Sequence, residues 1–572
     1  MANRSLSKLK FPLPKEKWLL LAIFFLGVFL RIFNWQSNPA ALNRDEASIG
    51  YTAFSLLKTG QDEHGLIWPI NYQSFGDWKL LVYPLVTVPF VALFGLSELS
   101  VRLPSMLAGS LLPLLVFLLV KNLQTTRKQA DWLLPTLAAF LVAISPWAVH
   151  LSRLAYEANL ALFFFTLGIL LLLLAFKKHQ PLLLPAIFFL VLTMVTYHSY
   201  QVFTPLMILA VVWLYRRQWL IILKKQKLLL SLAVSILFLA AALIFFGNTK
   251  ESNQVKFSGL SVFSEDLYKD QLFANRNYLS AWPTWVGRFY VNRPVLIFEK
   301  LASNTFRALN ADFLFFNGGG HGSHDTRGIG KMFLFQWPLL LLSIWFLLGK
   351  NQNLTKQGRQ LIVLWFLASL VAPVITLEPA HSTRFSPSIV PFSIVSALGL
   401  FYLLKLLTFS RKLKIIILSF LLLLVGLEFS RFFITYYLVA PKRDTDNWNW
   451  YAKPLVEKIN QLQNQYQAVY LAGKTWSPYI YFLFYNQVEP KTLTSELVYD
   501  PVDWEGFQHV NQWRNVYFGE IPWSLGETQT NKNLFIIKQS ELPIDHQNLL
   551  ETNLVYTLSN PDSNIVWYFI ED

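Results

Sequence analysis

An acidic pair, Asp45 and Glu46, follows Asn43 and Arg44 shortly after the first membrane-length apolar run of the chain ends. A carboxylate placed there is solvated by water and still reaches the lipid headgroups, so it could remove a proton during a reaction on a membrane lipid. The same side chains could instead be first-turn acids of a capped helix, which is an ordinary structural use. The charged residues elsewhere in the chain bear on this choice.

Several more charged or titratable residues lie near predicted membrane boundaries. They are Lys79 ahead of an apolar run, Arg153 and Glu157 before the fourth long run, His198 after the fifth and Arg384 before a later one. Each has a structural alternative: lysine can snorkel to lipid phosphate, residues four apart can pair on a helix, arginine can anchor at the interface and histidine can satisfy a carbonyl. Their convergence on one side of the membrane would instead predict a shared site.

Composition defines the broad class of protein. Hydrophobic residues make up 54% of the 572 residues and charged residues only 15%, whereas soluble domains carry roughly 25% charged residues. The chain is therefore predicted to be an integral membrane protein. The net charge of +15 comes from short Lys and Arg clusters between apolar runs, a pattern that indicates membrane topology and not nucleic-acid binding. The absence of cysteine excludes disulfides and thiolate metal sites.

Apolar runs long enough to cross a bilayer, about 20 residues each, set the topology. The candidates are residues 18–35, 101–120, 132–148, 158–176, 181–197, 201–215, 228–247, 332–349, 360–376, 386–407 and 413–437. Residues 80–96 are interpreted as an apolar outer helix, juxtamembrane or re-entrant and interrupted by Pro84 and Pro89, because counting them as a span would move most basic clusters outside. About 11 spans result, with a cytoplasmic N-terminus at 1–17.

The same topology predicts the domain organisation. A membrane domain covers 18–437 and carries two long outer loops, 36–100 and 248–331. Residues 440–572 change composition sharply and show a polar helix-like stretch at 450–465 and four short strand patterns, at 467–473, 533–537, 554–558 and 564–570. This pattern predicts a small extracytoplasmic α/β domain. This C-terminal domain contains no recognisable catalytic motif, and we expect it to cover the site or to meet an acceptor.

A glycine-rich segment in the second outer loop contains His321, His324, Asp325 and Arg327. Backbone amides and basic side chains in such a loop could wrap an anion. The histidines and the aspartate could also bind a divalent metal, although this spacing is a weak metal signal. The alternative is a glycine-rich turn between two spans. A divalent metal is therefore possible, and no cofactor is predicted with certainty.

Several of these features together resemble a known family. They are the acidic pair after the first span, the lysine before an apolar outer helix, the Arg/Glu segment before the fourth span, Phe94-Gly95-Leu-Ser-Glu98-Leu-Ser-Val-Arg102-Leu-Pro104-Ser105, and Arg384-Phe-Ser-Pro-Ser-Ile-Val-Pro391. The pattern is similar to the polyprenyl-phosphate-sugar-dependent glycosyltransferases of the C-type fold. Within that fold it resembles the family of protein O-mannosyltransferases and the lipid A aminoarabinose transferase (glycosyltransferase family 39-like). The resemblance covers about 15–410 and is best over 36–110.

The resemblance implies a fold and a reaction. The fold is that of a polytopic α-helical membrane protein, and a sugar moves from a polyprenyl phosphate to an acceptor outside the cytoplasm, with inversion. Asp45 would be the general base, Glu157 a second acid, and Glu46 a helper or only a helix cap. Positive charge would stabilise the departing phosphate. The residues expected to supply it or to contact the donor are Lys79, Arg384, Arg153 and His198, with possible loop contacts from His321, His324 and Arg327.

Two other functions remain open at this stage. A transporter or flippase of lipid-linked sugars is disfavoured because the acids lie at the outer edge and not at the bilayer midplane. A ligase or polymerase of lipid-linked glycans fits the same topology, and an inactive relative is a further alternative. The expected partners are a polyprenyl-phosphate-linked sugar, an unidentified protein, lipid or glycan acceptor, and membrane lipids. Compact loops favour the bacterial inner membrane as the location, with the active site and C-terminal domain extracytoplasmic.

Overall fold

The computed structural model describes residues 14–125, 131–177, 180–225, 261–264, 266–279, 282–320, 322–349, 353–406, 411–474, 476–501, 508–523, 532–561 and 564–571. These residues belong to two compact units. The first, here the helical unit, comprises Met1–Phe33, Ser105–Thr249 and Lys256–Thr435. The second, here the mixed unit, comprises the described residues of Asn34–Pro104 and Tyr436–Asp572. The outer loop that carries Asp45 therefore belongs to the same unit as the C-terminal region, whereas the sequence predicted it as part of the membrane domain.

Helices dominate the chain up to the C-terminal region. The described helices are α1 (Pro14–Ile32), α2 (Arg44–Thr59), α3 (Val82–Phe94), α4 (Glu98–Leu123), α5 (Leu133–Ile144), α6 (Pro146–Ser152), α7 (Glu157–Phe176), α8 (Leu183–Met194), α9 (Ser199–Leu214), α10 (Arg216–Lys225), α11 (Asp266–Tyr278), α12 (Thr284–Tyr290), α13 (Arg293–Ala308), α14 (Gln336–Leu348), α15 (Lys356–Val374), α16 (Ile389–Leu406), α17 (Arg411–Phe433), α18 (Ala440–Arg443), α19 (Ala452–Leu462), α20 (Tyr479–Tyr485), α21 (Leu493–Glu496) and α22 (Leu549–Thr552).

Five helices in the described chain are long and apolar enough to cross a membrane, and the number rises to seven if two bent helix pairs each form one span. These seven coincide with predicted spans. Predicted spans 181–197 and 332–349 contain the shorter apolar helices Gln180–Met194 and Gln336–Leu347, and the first predicted span corresponds to α1. The predicted span 228–247 lies outside the described residues. The total of eleven therefore stays a prediction.

The apolar outer segment predicted at 80–96 forms the single helix α3, which at 13 residues is shorter than the length a bilayer requires. The prediction that two prolines interrupt it is wrong. Pro84 lies in the first turn, where a backbone N–H has no helical partner in any case, and the helix also continues through Pro89. Leu56 of α2, Tyr72 and Leu81 form a small buried core beside it, so the outer loop is a packed structure.

The C-terminal region of the mixed unit contains a seven-stranded sheet. Its strands are β3 (Ala468–Ala472), β4 (Leu497–Tyr499), β5 (Val510–Trp513), β6 (Val516–Gly519), β7 (Asn533–Lys538), β8 (Leu554–Ser559) and β9 (Ile565–Glu571), in the spatial order β4-β5-β6-β3-β7-β9-β8. The central strand β3 is parallel to both β6 and β7, and the other pairs are antiparallel. Strands β3, β7, β8 and β9 lie where the sequence predicted strands.

Helix α2 packs against α20 of this C-terminal region. A Cβ atom added at Gly50 would lie 2.5 Å from the ring of Phe484 and 2.6 Å from Val101, so only glycine allows this approach. The hydroxyl of Tyr51 donates to the carbonyl of Val488 at 3.0 Å, and that of Tyr481 donates to Leu42 at 3.2 Å. The helix that carries the acidic pair is therefore fixed to residues more than 400 positions later in the sequence.

Candidate active site

A two-stranded hairpin, β1 (Asn71–Ser74) and β2 (Asp77–Leu80), stands beside the start of α2 in the mixed unit. Ser74 pairs with Asp77, so Phe75 and Gly76 form a two-residue turn with φ angles of 59° and 80°. Two consecutive positive φ angles are typical of a type I′ turn. Glycine adopts them readily, whereas phenylalanine at φ 59° is an unusual and strained position. The tight turn places Lys79 on the strand that returns toward α2.

Lys79 and Asp45 form an ion pair with 2.5 Å between Nζ and Oδ1. The lysine side chain is 13% exposed and the aspartate side chain 52% exposed, so the carboxylate is open to solvent while the ammonium is largely enclosed. The ring of Phe75 lies 4.9 Å from the lysine Nζ and 5.5 Å from the guanidinium of Arg44. Phe75 thus provides a cation–π surface for both basic residues, which the sequence analysis missed. The Phe-Gly pair between two alternating segments was the available signal.

Glu46 occupies a different environment from its neighbour. It is 1% exposed, and its two carboxylate oxygens accept hydrogen bonds from Nε and Nη2 of Arg102, both at 2.9 Å. It also completes a capping box with Asn43. The backbone N–H of Glu46 donates to Oδ1 of Asn43 at 2.9 Å, and the backbone N–H of Asn43 donates to Oε2 of Glu46 at 3.2 Å. Both oxygens are engaged inside the protein, which favours the helix-cap alternative for Glu46 over the catalytic helper role.

A second acidic cluster in the mixed unit was not singled out from the sequence. Asp62 and Glu63 are each 3% exposed, and the hydroxyl of Tyr479 donates to Glu63 at 3.2 Å. His64 lies 3.4 Å from the same carboxylate. Burial alone would lower the pKa of His64, but the hydrogen bond and negative charge of Glu63 outweigh burial, so the pKa is raised above 6.5.

In the helical unit, Arg153 lies at the end of α6 and is completely buried. Its Nη1 donates to the carbonyl oxygens of Leu30 and Arg31 at 3.1 and 2.9 Å, so it stabilises the carboxyl end of α1, where unpaired carbonyls carry partial negative charge. Glu157 is the first residue of α7 and is half-buried. These positions favour a positioning role for the arginine over direct contact with a donor.

The glycine-rich loop surrounds a carboxylate of the chain itself. Asp325 is 5% exposed and accepts hydrogen bonds from the ammonium of Lys331 and the hydroxyl of Ser382. Burial would raise the pKa of Asp325, but Lys331, Ser382 and the amide of Gly319 together lower it below 3.8. The described contacts of this carboxylate come from one lysine, one serine and one backbone amide, so the anion they bind is part of the chain, and binding of an external anion by this loop stays a prediction.

The metal hypothesis for this loop gains no support. His321 lies outside the described residues, and within the described ranges no group of three or more His, Cys, Asp or Glu side chains is arranged to hold a metal ion. Arg327 is exposed. The ring of His324 packs edge-on against Tyr156 at 5.1 Å and is tilted against His381 at 4.6 Å, which places this histidine in an aromatic cluster.

Arg384 lies beside that aromatic cluster in the helical unit. Its Nη2 is 3.6 Å from Glu378, and its Nη1 is buried without a hydrogen-bond partner in the described part of the chain. The hydroxyl of Tyr197 bonds Thr383 at 2.7 Å, and both Arg384 and Glu157 lie close enough for their charges to act on that phenol. His198 follows as the N-cap residue of α9.

Comparisons with known proteins give a fold assignment. No family profile and no curated protein sequence matches the chain. Among solved structures, the chain is similar to ArnT from Cupriavidus metallidurans bound to undecaprenyl phosphate, with a TM-score of 0.53, 11% identity and 97% of each chain covered. The same protein in the apo state gives a TM-score of 0.42. An archaeal oligosaccharyltransferase from Archaeoglobus fulgidus gives 0.44 at 14% identity, with 82% of this chain and 63% of that chain covered.

These values establish a class of fold. The chain is an integral membrane protein with the C-type glycosyltransferase fold, and the likeness extends over nearly its whole length. ArnT from Cupriavidus metallidurans is a solved protein that shares this fold. The resemblance expected from the sequence is thereby confirmed at the level of fold. At 11% identity the likeness assigns neither substrate nor residue roles.

Proposed function

We propose that the chain is a membrane glycosyltransferase that moves a sugar from a polyprenyl phosphate to an acceptor on the extracytoplasmic face, with inversion. The observation that carries this proposal is the ion pair between Asp45 and Lys79, which joins a half-exposed carboxylate to an enclosed ammonium within a C-type fold. This pair supplies the two functions that the reaction requires: a group that takes a proton and a group that binds a departing phosphate.

In the proposed mechanism the acceptor oxygen or nitrogen attacks the anomeric carbon as the bond from that carbon to the phosphate oxygen breaks. The acceptor proton passes to Asp45, and the electron pair of the broken bond leaves with the polyprenyl phosphate. Lys79 binds that phosphate and stabilises its growing charge. A positioned general base contributes roughly 10²–10⁴-fold to such a rate.

Asp45 and Lys79 also restrain each other before the donor arrives. The ammonium of Lys79 lies 2.5 Å from Oδ1 of Asp45 and so occupies one oxygen of the carboxylate that is proposed to take the acceptor proton. We infer that the donor phosphate competes for Lys79 and so releases Asp45 to act on the acceptor. The base would then become active only when a donor is bound, which would limit unproductive proton transfer.

The remaining charged residues take supporting roles in the proposal. Glu46 and Arg102 fix the first turn of α2, and hence the neighbouring Asp45. Arg384 of the helical unit stays a proposed contact for the donor, because its buried Nη1 has a hydrogen bond to give. Glu157 orients the acceptor. His198, His324 and Arg327 keep their predicted donor or loop contacts as a weaker part of the proposal, and no metal is included.

One observation favours the transferase over a transporter of lipid-linked sugars. Asp45 lies at the exposed start of α2, a 16-residue helix that is not among the described helices of span length. Transporters instead place ionisable residues near the bilayer midplane on broken helices. The polymerase and ligase alternatives share the proposed chemistry and differ only in the acceptor.

The test uses purified full-length protein in lipid nanodiscs. Binding of undecaprenyl phosphate is measured first, and sugar release is then followed from a panel of polyprenyl-phosphate hexoses, pentoses and aminopentoses. We expect Asp45→Asn to reduce turnover by about 10²–10⁴-fold without weakening donor binding, because the variant removes the carboxylate that competes for Lys79, and we expect Lys79→Met to weaken donor binding. Asp545→Asn, an exposed acid of the same unit, is the matched control. Equal turnover in the two aspartate variants would refute the assignment, and failure of the wild-type protein to bind the lipid phosphate would refute the donor class.

A further inference from the structure

A depression of about 850 Å³ lies at the carboxyl ends of the three parallel strands β3, β6 and β7. Its wall includes Gly473 and Lys474 after β3, Gly519 and Glu520 at the end of β6, and Ile537 of β7. The two glycines have φ angles of 88° and 141°, which favour glycine. Because glycine has no side chain, the backbone itself forms this part of the wall. A volume of this size falls in the range of roughly 300–1,000 Å³ that is usual for small-molecule sites.

The strand order places this depression where open α/β sheets bind ligands. From β3 the chain proceeds to β6 on one side, and it then crosses to β7 on the other side of β3. The order of the strands along the sheet therefore changes direction at β3, which makes this position a topological switch point. Ligands of open α/β sheets bind outside the carboxyl ends of the strands at such a point. The proposed catalytic pair lies on α2 and β2 and uses none of the residues that line the depression.

Aromatic rings floor the depression. Tyr470 and Tyr517 are neighbours in the register of β3 and β6, and their rings stack with centroids 5.1 Å apart at 21°. Phe535 of β7 lies next to Tyr470 at 5.7 Å, and Trp523 packs against that phenylalanine at 5.5 Å. The opposite face of the sheet packs on α20 through Phe518, whose ring is 5.6 Å from Phe482. Both tyrosines are half-buried and line the depression, so aromatic side chains are within reach of a ligand there.

The charges around the depression argue against a phosphorylated ligand. Lys474 is the basic residue in its described lining, and its Nζ is 2.7 Å from the carboxylate of Asp500. Glu520 and Glu541 add two further carboxylates at the wall. A phosphate or nucleotide would therefore meet net negative charge. A neutral ligand with hydroxyl groups on its edge and an apolar face would satisfy both the acids and the tyrosine rings.

We propose that this depression is a carbohydrate-binding site that takes one or a few neutral pyranose units. The apolar face of a sugar ring stacks on Tyr470 and Tyr517, and its hydroxyl groups donate to Glu520 and Glu541. The site is independent of the transfer reaction and would exist whether or not Asp45 is the base.

The test measures binding of neutral mono- to tetrasaccharides of glucose, mannose, galactose and N-acetylglucosamine to the full-length protein in nanodiscs, by saturation-transfer NMR and calorimetry. Loss of an aromatic contact of about 0.5–1.5 kcal/mol corresponds to about a 2- to 12-fold loss of affinity, which is the effect we expect for Tyr517→Leu and Trp523→Ala. Tyr556→Leu changes a half-buried strand tyrosine outside the depression and is the matched control. Glu520 is an exposed residue at the wall of the depression, so Glu520→Gln tests the proposed hydroxyl contact even where an aromatic variant fails to fold.

The expected result is saturable sugar binding that Tyr517→Leu and Glu520→Gln weaken, that Tyr556→Leu leaves unchanged and that persists in Asp45→Asn. Persistence in the last variant separates this site from the proposed catalytic one. The proposal is overturned if no saccharide of the panel binds up to tens of millimolar. It is also overturned if the depression variants bind as the control does, or if a nucleoside diphosphate binds there in place of sugar.

Discussion

The buried ion pair between Glu46 and Arg102 offers the sharpest test of how the acidic pair is built. Glu46 is 1% exposed and Arg102 is 0% exposed, so each charge depends on the other. Glu46→Gln keeps the side-chain shape and can still take part in a capping box, but it leaves the buried guanidinium without the carboxylate that it pairs with. Breaking a buried pair in this way costs about 3–5 kcal/mol of unfolding free energy.

The double variant Glu46→Gln with Arg102→Met restores electrical neutrality. We therefore expect it to lose less stability than the sum of the single variants, with a coupling energy of about 0.5–3 kcal/mol. The assay is reversible unfolding in mixed micelles, followed by circular dichroism. Glu571→Gln is the control, because Glu571 pairs with Lys532 at 2.6 Å on the surface and such pairs contribute about 0–1 kcal/mol.

Two results would refute this reasoning. If Glu46→Gln were no less stable than Glu571→Gln, the buried pair would not stabilise the start of α2. If turnover per folded molecule fell as far in Glu46→Gln as in Asp45→Asn, Glu46 would act in the reaction, as the sequence first predicted.

Three further predictions follow from the environments of single residues. Phe75→Leu removes the cation–π surface and should raise the donor dissociation constant about 2- to 5-fold in a binding titration, whereas an unchanged constant would show that the ring does not support donor binding. Glu63 raises the pKa of His64 above 6.5, so the stability that this pair contributes is complete below pH 6.5 and is lost as the pH rises through the folded pKa. In Glu63→Gln the melting temperature should therefore depend less on pH between pH 6 and 9. An equal dependence in both proteins would contradict this. The lowered pKa of Asp325 contributes stability above pH 3.8 that is lost as the pH falls further. Lys331→Met removes the ammonium that contributes to this lowering, so the melting temperature of the variant should fall less than that of the wild-type protein below pH 3.8, and an equal fall in both proteins would argue against the coupling.

The sequence predicted the class of fold and proposed the residues of the site for physical reasons that can be named. Long apolar runs and one-sided basic clusters indicate membrane spans directly. Asp45 and Lys79 stood out because charges beside spans are rare, and the structure brings them into contact. The pairing of Glu46 with Arg102 could not be predicted, because the residues are 56 positions apart and no local pattern joins them.

Other features were not predicted from the sequence, because their patterns are short or depend on tertiary packing. Strands β4, β5 and β6 have three or four residues each, too few for an alternating pattern to stand out. The role of Phe75 depends on a tight turn that returns Lys79 over its ring. Helices α8 and α14 have 12 and 13 residues and lie inside longer apolar runs. Their ends could not be predicted, because an apolar run does not reveal where the backbone bends.

The assembly of the mixed unit from two distant stretches, Asn34–Pro104 and Tyr436–Asp572, has a consequence for biosynthesis. Residues 105–435 must leave the ribosome before α2 meets α20, which at typical elongation rates takes on the order of tens of seconds. During that interval Gly50 and Tyr51 lack their partners, and the helix carrying Asp45 is without its packing surface. Maturation of the proposed site would thus wait for completion of the chain, and a protein cut off before its last hundred residues would insert its early spans yet never acquire activity.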